Sequence, residues 1–215
     1  MKQEVNSLWE LGLNSIANSS DVYLGEHFID LIKKDKTMEG VRKAVNDKII
    51  SNIRARAYLA PYIEAQSLVG HVRGSVDGVA FGGDRNHDDM AKQLKFTLLH
   101  PISSLDKYAD TWNVAMQELT WTIRHCRVDF DGTYQAVYNV SGAAWLWEMR
   151  FSIKDTLDLR PHSNSSHKID FKDSYNTVTS ILGTVYHDLI GNTDKLFVHA
   201  SWDEAGINFG KIHDW

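Results

Sequence analysis

The feature of this chain that most constrains its fold is a run in which apolar and polar side chains alternate. Apolar residues occupy every odd position from Trp145 to Ile153, while Glu148, Arg150 and Ser152 occupy even positions. A period of two places successive side chains on opposite faces of an extended backbone. The run therefore predicts a β-strand with one face buried and one face in solvent.

Neighbouring segments predict an antiparallel meander around this strand. Strand-like segments cover residues 120–130 and 133–140, and Asp131-Gly132 between them has the composition of a hairpin turn. Ser141-Gly142-Ala143 predicts a second turn, which leads into the strand that ends at Ile153. A last strand is predicted at residues 195–202, where apolar residues alternate again.

The first sixty residues show helical spacing instead. Three apolar stripes have this spacing: Val5, Leu8, Trp9, Leu13 and Ile16; Phe28, Leu31 and Ile32; and Val41, Val45, Ile49, Ile53 and Ala57. Asn18-Ser19-Ser20-Asp21 predicts the break between the first two helices, because these residue types cap helices. Further helices are predicted at residues 87–99, 103–119 and 174–190.

Glycine residues are concentrated in residues 70–86, and they predict a linker or mobile lid, or a pair of short glycine-bearing strands. Their spacing matches neither a P-loop nor a Rossmann turn, so no nucleotide site is expected. The complete pattern predicts an α+β fold, with a helical N-terminal half followed by a curved antiparallel β-sheet with one packed helix. We expect a helical region at 1–69, the linker or lid at 70–86, and an α+β activity domain at 87–215.

Composition narrows the class of protein. A chain of 215 residues with 43% hydrophobic and 24% charged residues is typical of a folded domain. Its formal net charge of -5 argues against broad nucleic-acid binding. No long apolar run and no recognisable signal peptide are present, so we expect neither a transmembrane helix nor signal-peptide-dependent export. Cys126 is the one cysteine, which excludes an intramolecular disulfide and a Cys-rich zinc site.

Polar residues with catalytic chemistry follow the alternating strand. Asp155 and Asp158 lie where the strand is expected to end. If the chain turns there, both carboxylates can bind one divalent cation, or one can accept a proton while the other orients it. Arg160 can then stabilise phosphoryl charge, and His162 or His167 can protonate a leaving group. The same composition is also typical of a polar loop whose aspartates cap backbone groups.

This part of the chain resembles the activity domain of colicin M and related bacterial toxins. In that family a strand leads into an Asp-x-Tyr-Asp motif with a downstream His-Arg pair. Here Asp155-Thr156-Leu157-Asp158 is followed by His167-Lys168. Leu157 stands in the place of the tyrosine and Lys168 in the place of the arginine, and the gap before His167 is longer than in the family. Residues 1–110 have no counterpart in the resemblance.

The resemblance implies an antibacterial toxin or effector that hydrolyses lipid II, the lipid-linked peptidoglycan precursor, by metal-dependent phosphoester cleavage. It implies that Asp155 and Asp158 are catalytic carboxylates that bind a divalent cation, Mg²⁺, and that His167 is the catalytic proton-transfer residue. The residues then expected to bind the substrate are Arg160, Lys168 and His162. The implied partners are the precursor at the membrane surface and a cognate immunity protein. Such a toxin leaves its producer by a signal-peptide-independent route and acts in the periplasm of the target cell.

Other functions are open at this point. A non-enzymatic immunity or adaptor protein would use its Trp-rich sheet as an interface, and a nuclease-type toxin would use the same carboxylates in the cytoplasm. The order of His71, His87 and Asp88 is similar to that of HD-type phosphohydrolases, whose all-helical fold does not suit a chain with predicted strands. His187 and His199 are further candidates, and His199 is expected to face the motif if its strand closes over the motif strand.

Overall fold

The computed structural model describes residues 4–6, 21–57, 65–81, 123, 125–139, 141–158 and 195–210. The helices are α1 (Glu26–Lys34) and α2 (Thr37–Ala57). The strands are β1 (Glu4–Val5), β2 (Asp21–Leu24), β3 (Gln66–Ala80), β4 (His125–Asn139), β5 (Gly142–Asp158) and β6 (Lys195–Gly210). Neither of these helices is both long and apolar enough to cross a membrane.

The strands pair in the order β1-β2-β6-β5-β4-β3, and the pairing is mixed. β2 pairs in parallel with β1 and with β6, whereas β4 and β5 form an antiparallel pair. The chain divides into two compact units, each made of separate segments. Unit 1 comprises Met1–Asp35, Ala80–Arg124 and Asp155–His199, and unit 2 comprises Lys36–Val79, His125–Lys154 and Ala200–Trp215.

Unit 1 is built on the parallel pairing of β2 with the start of β6. Val22 lies opposite Val198, and both side chains are buried. Helix α1 follows β2 directly and buries Phe28 and Ile32, which are four residues apart and therefore share one helix face. The side chain of Asn6, just after β1, accepts a hydrogen bond from the N–H of His27 in the first turn of α1 (3.4 Å).

Unit 2 is a sheet whose inner face is covered by α2. The buried stripe of this helix is Val41, Val45, Ile49 and Ile53. Asn46 accepts a hydrogen bond from the indole N–H of Trp145 (3.3 Å), and Arg42 donates two to the carboxylate of Glu204 (2.8 and 3.0 Å). Two polar contacts along one edge of the apolar stripe thus help to fix how the helix lies on β5 and β6. We call the opposite side of this sheet the outer face.

Residues 70–80 lie in β3, so the prediction of a linker or lid is wrong there, and the alternative of glycine-bearing strands comes closer, with one long strand in place of two short ones. Two of the glycines, Gly70 and Gly74, are required by packing on the inner face. A Cβ at Gly70 would collide with the ring of Tyr134, and one at Gly74 would collide with the ring of Phe130. Each glycine lies under an aromatic ring of β4, an arrangement that stabilises glycine in a strand. Residues 82–86 of the predicted linker lie outside the described residues.

The predicted turn at Asp131-Gly132 is also wrong. β4 continues through it, with Asp131 opposite Arg150 and Gly132 opposite Met149. A Cβ at Gly132 would collide with the backbone oxygen of Glu148, so this glycine permits the close approach of two strands. A turn is present where one was predicted at 141–143, but it ends at Ser141: Asn139 pairs with Gly142 across a tight hairpin, so Gly142 and Ala143 already lie in β5.

The prediction of a helical N-terminal half followed by an antiparallel sheet is contradicted. Helices α1 and α2 confirm the second and third apolar stripes, but β1, β2 and β3 also lie in this half of the chain. Val5 belongs to β1, and Asp21 begins β2 instead of capping a helix. The sheet is mixed because β2 pairs in parallel with its neighbours. The other predicted helices, 87–99, 103–119 and 174–190, lie outside the described residues, as does the remainder of the first stripe.

Candidate functional site

The predicted catalytic motif begins inside β5 and not in a loop after it. β5 extends to Asp158, so Asp155 lies in extended backbone. Its side chain is half-buried and follows the inward positions of Phe151 and Ile153. The N–H of Thr156 donates a hydrogen bond to Asp155 Oδ1 (2.8 Å), which orients the carboxylate. Asp155 is therefore a carboxylate at a position where the strand pattern places an apolar residue.

The metal site was expected to form where the chain turns between Asp155 and Asp158, but β5 continues through both residues. Three residues of extended strand separate the Cα atoms of Asp155 and Asp158 by about 10 Å. Within the described residues no group of three potential ligands from His, Cys, Asp and Glu is present. The side chain of Asp158 lies outside the described part of the chain, so a cation bound by both aspartates stays a prediction. Arg160, His162, His167, Lys168 and His187 lie outside the described residues, as do His87 and Asp88.

His199 belongs to a different cluster, in unit 1. Its Nε2 lies 2.7 Å from Asp21 Oδ1, and its ring stacks on Tyr23 with centroids 5.0 Å apart. The parallel register places Tyr23 directly opposite His199. His199 lies between buried Val198 and Ala200 and so projects from the other face of the sheet than Asp155. The structure therefore does not bring His199 and Asp155 together.

Asp21 and Tyr23 were missed as site residues because they come from β2, whose pairing with β6 depends on a parallel register between distant segments. The Asp21 carboxylate and the Tyr23 ring thus hold the imidazole of His199 in one orientation, on an accessible part of β6. An oriented histidine of this kind can transfer a proton when a substrate is held beside it.

The outer face of unit 2 carries charged residues in pairs. Arg73 and His71 of β3 both contact Asp131 of β4, at 2.7 and 2.6 Å. The Arg73 guanidinium, with help from His71, holds the pKa of the Asp131 carboxyl below its usual value. On the neighbouring strands, Arg150 of β5 pairs with Asp203 of β6 at 3.0 Å. These contacts join β3 to β4 and β5 to β6 through the solvent side of the sheet.

The same outer face also exposes a group of large apolar side chains. We call this group the apolar patch: Val69, Val137, Leu146, Ile207 and Phe209. They come from four different strands of unit 2, and Phe209 is 78% exposed. By contrast, all three described tryptophans, Trp145, Trp147 and Trp202, are buried. The expectation that tryptophans form an interface is therefore wrong for these residues.

The register of the strands brings the patch residues into neighbouring rows. Leu146 lies opposite Gln135 in the β4–β5 pair. From the Arg150–Asp203 pair and the packing of Trp147 on Gly206, we infer an antiparallel register in which Leu146 lies opposite Ile207. The packing of Tyr134 on Gly70 and of Phe130 on Gly74 implies in the same way that Val69 lies opposite Gln135. Ile207, Leu146 and Val69 thus lie in one row across the sheet, with Gln135 between Leu146 and Val69.

The sequence contains one signal for this patch. Val137 and Leu146 occupy outward positions of strands, where the alternation calls for polar residues. Ile207 and Phe209 lie beyond residue 202, where the last strand was predicted to end.

Comparisons of the chain with protein-family models, with curated proteins and with solved structures found no match.

Proposed function

We propose that this chain is a protein-binding domain that uses the outer face of the unit 2 sheet. The observation that carries the proposal is the apolar patch, with five large side chains from four strands exposed on one face. Isolated exposed apolar residues are ordinary, whereas the largest exposed apolar group of a domain is often an interaction surface. Contact with another protein removes this apolar area from water.

The surroundings of the patch suit a binding surface. Thr133 and Glu148 lie opposite each other in the next row and form part of a polar rim. Beyond them, Arg73–Asp131 and Arg150–Asp203 are already paired within the chain. A partner that covers the apolar centre therefore meets arginines that are already paired, and Glu148 is the rim charge that it would have to accommodate.

A second candidate function is the lipid II hydrolase implied by the resemblance to colicin M. The observation that favours it is the half-buried carboxylate of Asp155 at an inward strand position. A polar group at such a position costs free energy unless it serves an interaction, and functional sites are where such departures concentrate. In this proposal Asp155 takes part in proton transfer in the periplasm of a target cell. The divalent cation that the resemblance implies, bound by Asp155 and Asp158, belongs to the same proposal.

Expression in a bacterial host with and without an added export signal separates the candidates. The binding proposal predicts normal growth in both cases. Lysis that requires the export signal and is lost in Asp155→Ala and Asp158→Ala supports the hydrolase. Killing without the export signal supports a nuclease-type toxin. Either kind of killing contradicts a purely binding function.

A positive test of binding uses co-expression with a toxin encoded beside this chain. If such a toxin is the partner, the chain should protect the host, and Ile207→Lys with Phe209→Lys should remove protection. Ser51→Lys with Ala55→Lys adds the same charge at exposed positions of α2 and serves as the matched control. Equal protection by wild type and the patch variant contradicts the outer face as the binding surface.

A further inference from the structure

The charge, shape and size of the apolar patch indicate which partner binds to it. We propose that the patch binds the same patch on a second copy of this chain, so that the protein forms a weak dimer through its outer faces. This inference rests on the proposed binding function and names its partner.

Charge favours a partner whose surface is itself close to neutral. The arginines of the outer face are paired in place: Arg73 with Asp131, Arg127 with Asp129, and Arg150 with Asp203, all within 3.0 Å. A strongly acidic or basic partner gains little from a face whose charges are already compensated. A second copy presents the same largely compensated face, with Glu148 as the remaining charge beside the patch, so the two faces meet with less repulsion than a net charge of -5 would otherwise produce.

The shape of the patch suits a two-fold arrangement. Its residues lie in two adjacent rows across β3 to β6, with Leu146 and Ile207 in one row and Val137 and Phe209 in the other. A two-fold axis through the patch places each row of one copy against a row of the other, which is the self-complementary geometry of most symmetric dimers. Two sheets that meet face to face pack about 10 Å apart, with side chains of this size between them.

The size of the patch sets the strength of the dimer. Four strands spaced by about 4.8 Å, and two rows about 7 Å apart, cover on the order of 300 Å² per copy. A stable dimer of standard size buries about 800 Å² on each partner. The patch is smaller than this, so we expect a dimer that forms and dissociates with concentration.

Sedimentation equilibrium of the full chain tests the proposal. We expect wild type to pass from monomer to dimer as its concentration rises to about 0.5 mM. In Ile207→Lys with Phe209→Lys, the dissociation constant should rise at least about tenfold, because each dimer would bury four added charges. The matched control, Ser51→Lys with Ala55→Lys, should behave as wild type. All three proteins should unfold at the same temperature, since every substituted side chain is exposed.

Two outcomes overturn the dimer. One is a wild type that stays monomeric over the whole concentration range, including a monomer that instead binds lipid vesicles. The other is a patch variant that dimerises like wild type, which would place the interface elsewhere. If wild type is monomeric, the binding function itself can still be tested. Protection from a toxin by wild type, and its loss in the patch variant alone, would identify a different partner for the same face.

Discussion

Single glycines and aromatic rings determine how closely β3 and β4 pack. Tyr134 lies over Gly70, and Phe130 lies over Gly74, on the face covered by α2. Phe130 and Tyr134 are both buried, so their rings have no free space into which to move. The two rings of β4 therefore require glycine at positions 70 and 74 of β3.

Replacing Gly74 by alanine should destabilise the protein by about 1–3 kcal/mol, the usual cost of adding a methyl group to a filled core. Gly40 provides the matched control, because nothing lies within 4 Å of a Cβ at that position of α2. Gly40→Ala should be neutral or should stabilise by up to about 1 kcal/mol, since alanine favours a helix. Urea unfolding of both variants measures the difference. Equal stability of Gly74→Ala and wild type would show that Phe130 does not occupy the space above residue 74.

Strands β3 and β4 differ in how well the sequence predicts them. In β4 the apolar residues alternate over its whole length, but Asp131-Gly132 has the composition of a turn, and local composition cannot reveal that Gly132 faces the β5 backbone. In β3 the inward positions at 70 and 74 are glycines, so the alternation of apolar residues is interrupted. Both predictions, the turn in β4 and the loop in β3, are wrong because these glycines accommodate a neighbouring strand and do not form a local turn.

The free energy of unfolding should depend on pH through Asp131, which contacts β3 from β4. Arg73 first, and His71 with it, lowers the pKa of this carboxyl from its ordinary 3.8 in the folded chain. A lowered folded pKa means that the ionised form stabilises the fold above pH 3.8, and that this contribution is lost as the pH falls through the folded pKa. Asp131→Asn should therefore be slightly less stable than wild type at neutral pH, and the difference should close in acid.

Urea midpoints of wild type and Asp131→Asn, measured from neutral to acidic pH at low and high salt, check this expectation. Added salt should reduce the difference at neutral pH, because the ion pair is exposed. A difference that persists unchanged in acid would show that the asparagine acts through something other than the lost charge.

At the scale of the whole molecule, the organisation depends on pairings between distant segments. β2 lies beside β6, with Asp21 opposite Phe197, although almost the whole chain separates them. Two parallel strands are not joined by a hairpin turn, so no turn motif in the sequence indicates that they pair. The sequence pattern therefore predicted β6 but not its partner β2. The His199–Asp21 contact follows from this pairing, which is why only one of its two residues was a candidate beforehand.

The apolar patch likewise exists only once the strands are in register. Val69, Leu146 and Ile207 are scattered in the sequence and lie in one row only when β3, β4, β5 and β6 pair as they do. Each residue alone is an unremarkable exposed apolar side chain. Their alignment makes the outer face of unit 2 a surface from which water can be excluded.

Cross-linking through a single introduced thiol tests most directly whether this surface binds a second copy. Cys126 is buried and is the one cysteine of the chain, so Ile207→Cys carries a single exposed thiol. A short bis-maleimide should link Ile207→Cys into covalent dimers at protein concentrations where Ala55→Cys, on the exposed side of α2, stays monomeric. Equal yields from the two variants, or no dimer from Ile207→Cys, would contradict binding of a second copy through the outer face.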